Sequence, residues 1–370
     1  MNEYDFLVVG AGIAGASAAA HLAQKARVAV LEMEDRPGYH TTGRSASSYE
    51  PNYGPVPIRI LTRLAGPFFF APPEGFADGD LYTKRGSLFL EGPGQAAETE
   101  EYLKTATDTR PLDSAELIKL LPVIRPSYAK RSFYDGTTGD LDVDLLHRGY
   151  LRLFKQRGGA LHVNAGVSEL AFKDGKWTAT TRAGMFSAPV IVNAAGAWGD
   201  VVAGMAGVKP IGITPKRRSI GVVPVHGYPD FMQWPFVSDI GETWYAKPQS
   251  GKLLVSSADQ TPVEPHDAYA DDEAVATGIA HMMDATTIEV THIEHKWGGL
   301  RTFSKDKVPV VGFDKERPGF FWLVGQGGYG IQSSPSLSRM AAALASREAL
   351  PDDIAASELN IADFSPDRFS

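Results

Sequence analysis

The stretch Asp5-Phe6-Leu7-Val8-Val9-Gly10-Ala11-Gly12-Ile13-Ala14-Gly15, continued by Ala16 to Lys25 and by Arg27-Val28-Ala29-Val30-Leu31-Glu32, decides the fold. Its first apolar run, ending at Gly10, reads as a strand buried on both faces of a parallel sheet. Gly10, Gly12 and Gly15 form G-x-G-x-x-G, Ala16 to Lys25 is a strong helix former, and the second apolar run closes on an acid. Together they spell a βαβ unit. The glycines permit the tight turn, let the backbone approach a pyrophosphate and let helix pack on strand. The free N–H groups and dipole at the helix start attract phosphate. Glu32 is placed to accept hydrogen bonds from adenosine ribose hydroxyls, and an acid there disfavours a 2′-phosphate. The expected ligand is NAD or FAD.

Around this unit the chain has 370 residues, of which 43% are hydrophobic and 22% charged, an ordinary globular composition with room for two domains. Lys+Arg 36 against Asp+Glu 44 gives a net charge of -8, the wrong sign for binding phosphate backbones, so nucleic acid is not an expected partner. The absence of cysteine removes disulfides, thiolate metal sites, cysteine nucleophiles and any sulfur tether for a cofactor. Phe6 to Gln24 carries no charge and Ala18-Ala19-Ala20 imitates a cleavage site. Glu3 and Asp5 come first, however, and the segment is rich in Gly and Ala. Neither a signal peptide nor a transmembrane span is therefore expected, and the expected location is the cytoplasm, with peripheral attachment to the inner membrane as the alternative.

Downstream, Arg36-Pro37-Gly38-Tyr39-His40-Thr41-Thr42-Gly43-Arg44-Ser45 is a segment for which an NAD domain has no need. With it the chain resembles the FAD-dependent D-amino-acid oxidase/dehydrogenase superfamily, and His40 to Ser48 is similar to its D-arginine-dehydrogenase-like branch. The resemblance extends over essentially the whole chain. It implies an α/β fold: a discontinuous Rossmann-type FAD-binding domain and an α+β substrate domain with an antiparallel sheet. It also implies non-covalent FAD contacted along Gly10, Gly12, Ile13, Ala14 and Gly15, then Glu32 and Met33. Thr42, Gly43, Arg44 and Ser45 would follow the diphosphate and the flavin edge.

Val190-Ile191-Val192-Asn193-Ala194-Ala195-Gly196-Ala197-Trp198 matches the family's strand-then-turn at the dinucleotide, which assigns Ala195, Gly196 and Trp198 to the cofactor. Phe320 to Val324 reads as a strand running into Gly325-Gln326-Gly327-Gly328-Tyr329-Gly330-Ile331-Gln332, a second glycine-rich turn ahead of an Ala-rich helix at about Ser336 to Ser346. The family places Gly327, Gly328, Tyr329, Gly330, Ile331 and Gln332 at the pyrimidine end of the flavin, where N–H groups stabilise charge on the reduced ring. Two such turns imply a cofactor contacted at both ends, and FAD has that length.

Thr138-Gly139-Asp140-Leu141-Asp142 precedes an amphipathic helix from Val143 to Gln156, with Asp side chains able to cap it. Strands are expected around Ala160 to Asn164 and Trp177 to Thr181. The FAD-binding domain is expected at 1–50, 138–214 and 298–370. Residues 51–137 and 215–297 would form the substrate domain, with strands such as Ser219 to Val225 and Thr243 to Ala246 roofing the flavin.

For the chemistry, the resemblance assigns Arg301, in Trp297-Gly298-Gly299-Leu300-Arg301, to the substrate carboxylate, which a guanidinium fork holds by two parallel hydrogen bonds. Tyr245 is similar to the family's active-site tyrosine near that carboxylate, Arg218 to a second pocket arginine, and Tyr53 to a lid-loop tyrosine. Arg218 reads equally as part of a solvated basic cluster. Ser48 stands where some relatives carry histidine, and Lys84 to Leu90 holds no acid to read a cationic side chain. Glu50, taken as a solvated loop acid, would otherwise pair with a basic side chain, so an apolar or aromatic side-chain pocket is preferred.

The implied reaction is oxidation of a D-amino acid by hydride transfer to the flavin, with O2 or a quinone or dye as electron acceptor and no demand for a protein base. Competing readings are glycine- or sarcosine-type amine oxidation, 2-hydroxy-acid oxidation, and a non-catalytic flavin-binding module. No metal site is expected, since His292 and His295 would point to opposite faces of a strand. Asp271-Asp272-Glu273 reads as a helix start.

Overall fold

The structure is a computed structural model that describes residues 2–369. Phe6–Val9 and Val28–Leu31 are buried at every position, as their unbroken apolar runs require, and pair in parallel. Val190–Asn193 pairs in parallel with the free side of Phe6–Val9, and Phe320–Val324 follows it. Ala160–His162 extends one edge in parallel and Val310–Phe313 closes the other antiparallel, which makes six strands. The first crossover leads from Phe6–Val9 to Val28–Leu31, while Val190–Asn193 lies on the opposite side. That reversal is where open α/β sheets form a ligand crevice beyond the strand ends.

Ile13–Leu22, Val143–Gln156 and Gly330–Ser346 pack together in the main core. Ala16, Ala19 and Ala20 of the first helix are fully buried, and small side chains there let the neighbouring helices approach closely. A second core lies between this sheet and a four-stranded one, filled by Trp177, Phe186, Phe320 and Trp322.

The last helix begins at Gly330, six positions before the expected Ser336. Pro335, inside the helix, lacks the N–H that would bond to Ile331 O. That carbonyl accepts from Ser334 Oγ at 2.9 Å instead, so the helix runs through the proline. Val143–Gln156 has the expected bounds, with Asp142 capping Leu145 N at 2.8 Å. Asp271 likewise caps Asp272–Ala285 through Ala274 N.

The strand expected at Ala160 to Asn164 ends at His162, and that expected at Thr243 to Ala246 is Tyr245–Gln249, since Thr243 and Trp244 are drawn into a turn around Asp239. The strand expected at Ser219 to Val225 is Thr214–Val223, which starts earlier and ends two residues sooner. His292 precedes the strand that starts at His295.

That strand, His295–Phe303, and Thr214–Val223 are members of a nine-stranded sheet. It is antiparallel except where Phe236–Asp239 pairs with Ser87–Leu90. Thr214–Val223 pairs with His295–Phe303 along nearly its whole length, and both strands cross the domain boundaries read from sequence. The register places Arg301 opposite Lys216, so Arg301 shares a face with Arg218, two residues on. Tyr245 lies opposite Ser256, which joins the same face because its neighbour Val255 faces Gly221. One face of one sheet therefore carries Arg218, Tyr245 and Arg301. Among the described residues no helix is long and apolar enough to cross a membrane.

Candidate active site

A cavity of about 530 Å³ runs from the ends of the six-stranded sheet to that face of the nine-stranded one. Its size falls within the range of small-molecule sites. In its first half, Gly10 has φ +100 and a Cβ there would lie 2.6 Å from Ala194 O, so the two strand ends meet only because this residue is glycine. Glu32 accepts from Ala11 N at 2.8 Å and from Glu34 N at 3.0 Å, which fixes its carboxylate at the cavity wall. Thr42 Oγ1 accepts from Ile13 N at 2.9 Å and ties the second loop to the helix start. No acid occupies the first turn of that helix.

Met33, Val201 and Met205 are 39%, 45% and 38% exposed and line one end of the cavity beside Trp198. Open apolar surface of this kind suits a planar base. At the other end Gln332 Oε1 accepts from Glu50 N at 2.9 Å, leaving the buried Nε2 without a partner. A Cβ on Gly196, which also lines the cavity, would meet no atom within 4 Å. A cradle with an orphaned amide, an uncovered helix start and an apolar end fits an extended dinucleotide.

Three residues expected at the cofactor do not line the cavity. Gly15 faces the strand end, where a Cβ would lie 1.9 Å from Gly10 O, so it serves helix-to-strand packing. Gly43 packs on Gly38 O, and Tyr329 is buried against Tyr53 and Phe303. Arg44 lines the cavity, but its guanidinium turns outward to Ala268 O at 2.6 Å and to Asp267. Its carbonyl accepts from Trp297 Nε1 at 3.1 Å, which links the loop to the strand bearing Arg301. Gly12, Ile13, Ala14, Ser45, Ala195, Gly327, Gly328, Gly330 and Ile331 also line the cavity.

The sheet face supplies the second half. Arg301 is held by Tyr53, whose hydroxyl accepts from Nη1 at 3.2 Å, and by Gly328, where a Cβ would lie 2.8 Å from Cζ. Arg218 is buried, not solvated: Nε donates to Asp259 O at 2.9 Å, the guanidinium lies 5.6 Å from the Tyr245 ring, and Nη2 has no partner. The Tyr245 hydroxyl is equally buried and unpartnered. Burial works to raise its pKa, but the guanidiniums of Arg218 and Arg301 outweigh it and hold the phenol below its usual value. A buried donor left unpaired costs about 1–3 kcal/mol. Two of them beside the Arg301 guanidinium form a site for a carboxylate.

Glu50 corrects the sequence reading. It is buried at the cavity wall, not solvated, and accepts from Ser87 Oγ at 2.5 Å. Burial, opposed by Ser87 and reinforced by Asp135, raises its carboxyl pKa from 4.5 to about 8. Between those values the native protein keeps a proton that the unfolded chain has released, so stability falls as pH rises through this window. Glu50→Gln removes the ionisation. Thermal unfolding from about pH 5 to about pH 9 is expected to show a steeper loss of Tm in the parent than in Glu50→Gln, while parallel curves would refute the assignment.

Sequence reading missed Ser87, the cavity aromatics Phe89, Tyr102 and Phe236, and His147, whose Nε2 lies 2.8 Å from Ala11 O. The one available signal was a histidine within the buried stripe of Leu146, Tyr150 and Phe154.

Comparison with known proteins places the chain in a family. The family described as FAD dependent oxidoreductase (DAO) matches residues 5–344. A glycine oxidase from Geobacillus kaustophilus is 24% identical over 96% of this chain and 96% of its own. An L-2-hydroxyglutarate dehydrogenase from Escherichia coli is 28% identical over 56% of this chain and 51% of its own. The crystal structure of L-proline dehydrogenase from P. horikoshii shares the fold, with a TM-score of 0.84 at 18% identity over 100% of this chain and 98% of that one.

Proposed function

Since the chain belongs to the DAO family of FAD-dependent oxidoreductases, we propose that it oxidises a D-amino acid to the imino acid, which water hydrolyses to keto acid and ammonia. The observation that carries this reading is the pair of buried, unpartnered donors, Arg218 Nη2 and Tyr245 OH, on the sheet face shared with Arg301. FAD, held without a covalent tether, supplies the two-electron acceptor at N5. Arg301 and Arg218 hold the substrate carboxylate as a charged group in a site shielded from water. Tyr53 fixes the Arg301 fork, and Tyr245 adds a neutral donor. Positioning Cα within about 3–3.5 Å of its acceptor is the main task left to the protein.

The amine must arrive neutral. Its lone pair closes the C=N bond as the Cα hydrogen leaves with both electrons, so no side chain has to take a proton. The electrons pass on to O2 or a quinone. A hydroxy acid must also lose its O–H proton and needs a base. His40 is the one histidine lining the cavity among the described residues, and its Nε2 is taken by Glu34 at 2.8 Å. Glycine-type amine oxidation is the second reading, favoured by the glycine oxidase relative matched over 96% of both chains. Enantiomer preference rests on the similarity of His40 to Ser48 to the D-specific branch.

The absence of a required base is tested with Tyr53→Phe and Tyr245→Phe. Rapid mixing under anaerobic conditions is expected to show both reducing the flavin at high pH within about tenfold of the parent rate. Abolition in both would establish a base and overturn this part of the mechanism.

A further inference from the structure

We propose that His147 is a positioning residue for the diphosphate of the cofactor, acting through the Ala11 carbonyl. Ala11 sits between the first two glycines of the phosphate-binding turn, and both its polar groups are held. Its N–H donates to Glu32 Oε2 at 2.8 Å, and its carbonyl lies 2.8 Å from His147 Nε2. A carbonyl only accepts, so Nε2 carries the hydrogen and donates it. The ring is buried, and burial, opposed by the Ala11 carbonyl and Asp144, keeps it neutral near pH 7.

The same imidazole braces the second loop. At Gly38 a Cβ would lie 2.9 Å from His147 Cε1 and 3.1 Å from Nδ1. Gly38 O in turn accepts from Gly43 N at 2.8 Å and so shapes the turn that presents Thr42 to Ile13 N. One ring therefore sets both loops that would enclose the diphosphate, from a helix whose own start is fixed by Asp142. Without the donor the Ala11–Gly12 peptide loses the hold on its carbonyl and can rotate, carrying Gly12 N–H with it, so the N–H groups of the turn lose their common direction.

The test uses apoprotein prepared from the holoenzyme, with ligand affinities read from flavin fluorescence and, for ADP, by competition. His147→Leu is expected to weaken FAD and ADP binding by about tenfold to a hundredfold and to leave riboflavin, which has no phosphate, within about twofold. His147→Gln carries an amide nitrogen at the same bond distance from Cα and is expected to restore FAD affinity to within a few-fold. Equal losses for FAD and riboflavin, normal FAD binding by the leucine variant, or failure of glutamine to rescue would each overturn the proposal. Should His147→Leu not fold, nitrogen-15 NMR of the parent protein decides: the neutral Nε2–H tautomer supports the role, and the Nδ1–H tautomer excludes it.

Discussion

Arg301→Ala is expected to raise the Kd of simple carboxylate ligands at least about a hundredfold and to lower kcat/KM by about a thousandfold or more. Removing one member of a buried, hydrogen-bonded charge pair costs about 3–5 kcal/mol, and each 1.4 kcal/mol is a factor of ten. The loss should reach kcat as well as KM, because the guanidinium both binds the carboxylate and fixes Cα over its acceptor. Arg301→Lys keeps the charge but not the fork, and Tyr53 would lose its planar partner. It should recover only part of the affinity. Ligand titration monitored by the flavin spectrum checks both variants, and unchanged affinity in Arg301→Ala would remove this residue from the site.

The second large effect belongs to Gly15, which never reaches the cavity. A methyl group there would sit 1.9 Å from Gly10 O and 3.3 Å from Ala194 Cβ, and neither the strand end nor the crossing turn has a flexible side chain to move aside. Gly15→Ala must push the first helix off the sheet. The helix start would then carry Ile13 N away from Thr42 and out of line with Ala11. Purified Gly15→Ala is expected to be nearly colourless, with FAD affinity down by about a hundredfold or more, and destabilised by about 1–3 kcal/mol from overpacking alone. Flavin content per chain and thermal unfolding measure the two losses. A fully yellow variant with parental Tm would show that the turn tolerates the shift.

The βαβ unit was legible because its information is local: an apolar run, glycines at fixed spacing, a helix and an acid each speak within a few residues. The sheet face bearing Arg218, Tyr245 and Arg301 was legible only through family resemblance, since joining Arg218 to Arg301 depends on a pairing between strands more than seventy residues apart. Glu50 was misread because an acid in a Pro/Gly-rich stretch usually meets water. Here the backbone bond to Gln332 and the hydroxyl of Ser87, both distant in sequence, draw it inside. Tyr329 was assigned to the cofactor through the resemblance, while the contacts of its ring with Tyr53 and Phe303 left no mark in the sequence. His147 was overlooked for a related reason: its partner is a backbone carbonyl, which leaves no mark in the sequence.

The most direct measurement is anaerobic mixing of the FAD-loaded protein with a panel of D- and L-amino acids, N-methyl amino acids and 2-hydroxy acids, following the flavin absorbance. The arginine-lined pocket predicts bleaching by D-amino acids, and the proposed base-free oxidation predicts none by hydroxy acids. Bleaching by hydroxy acids alone, or by no small carboxylate at all, would contradict the account.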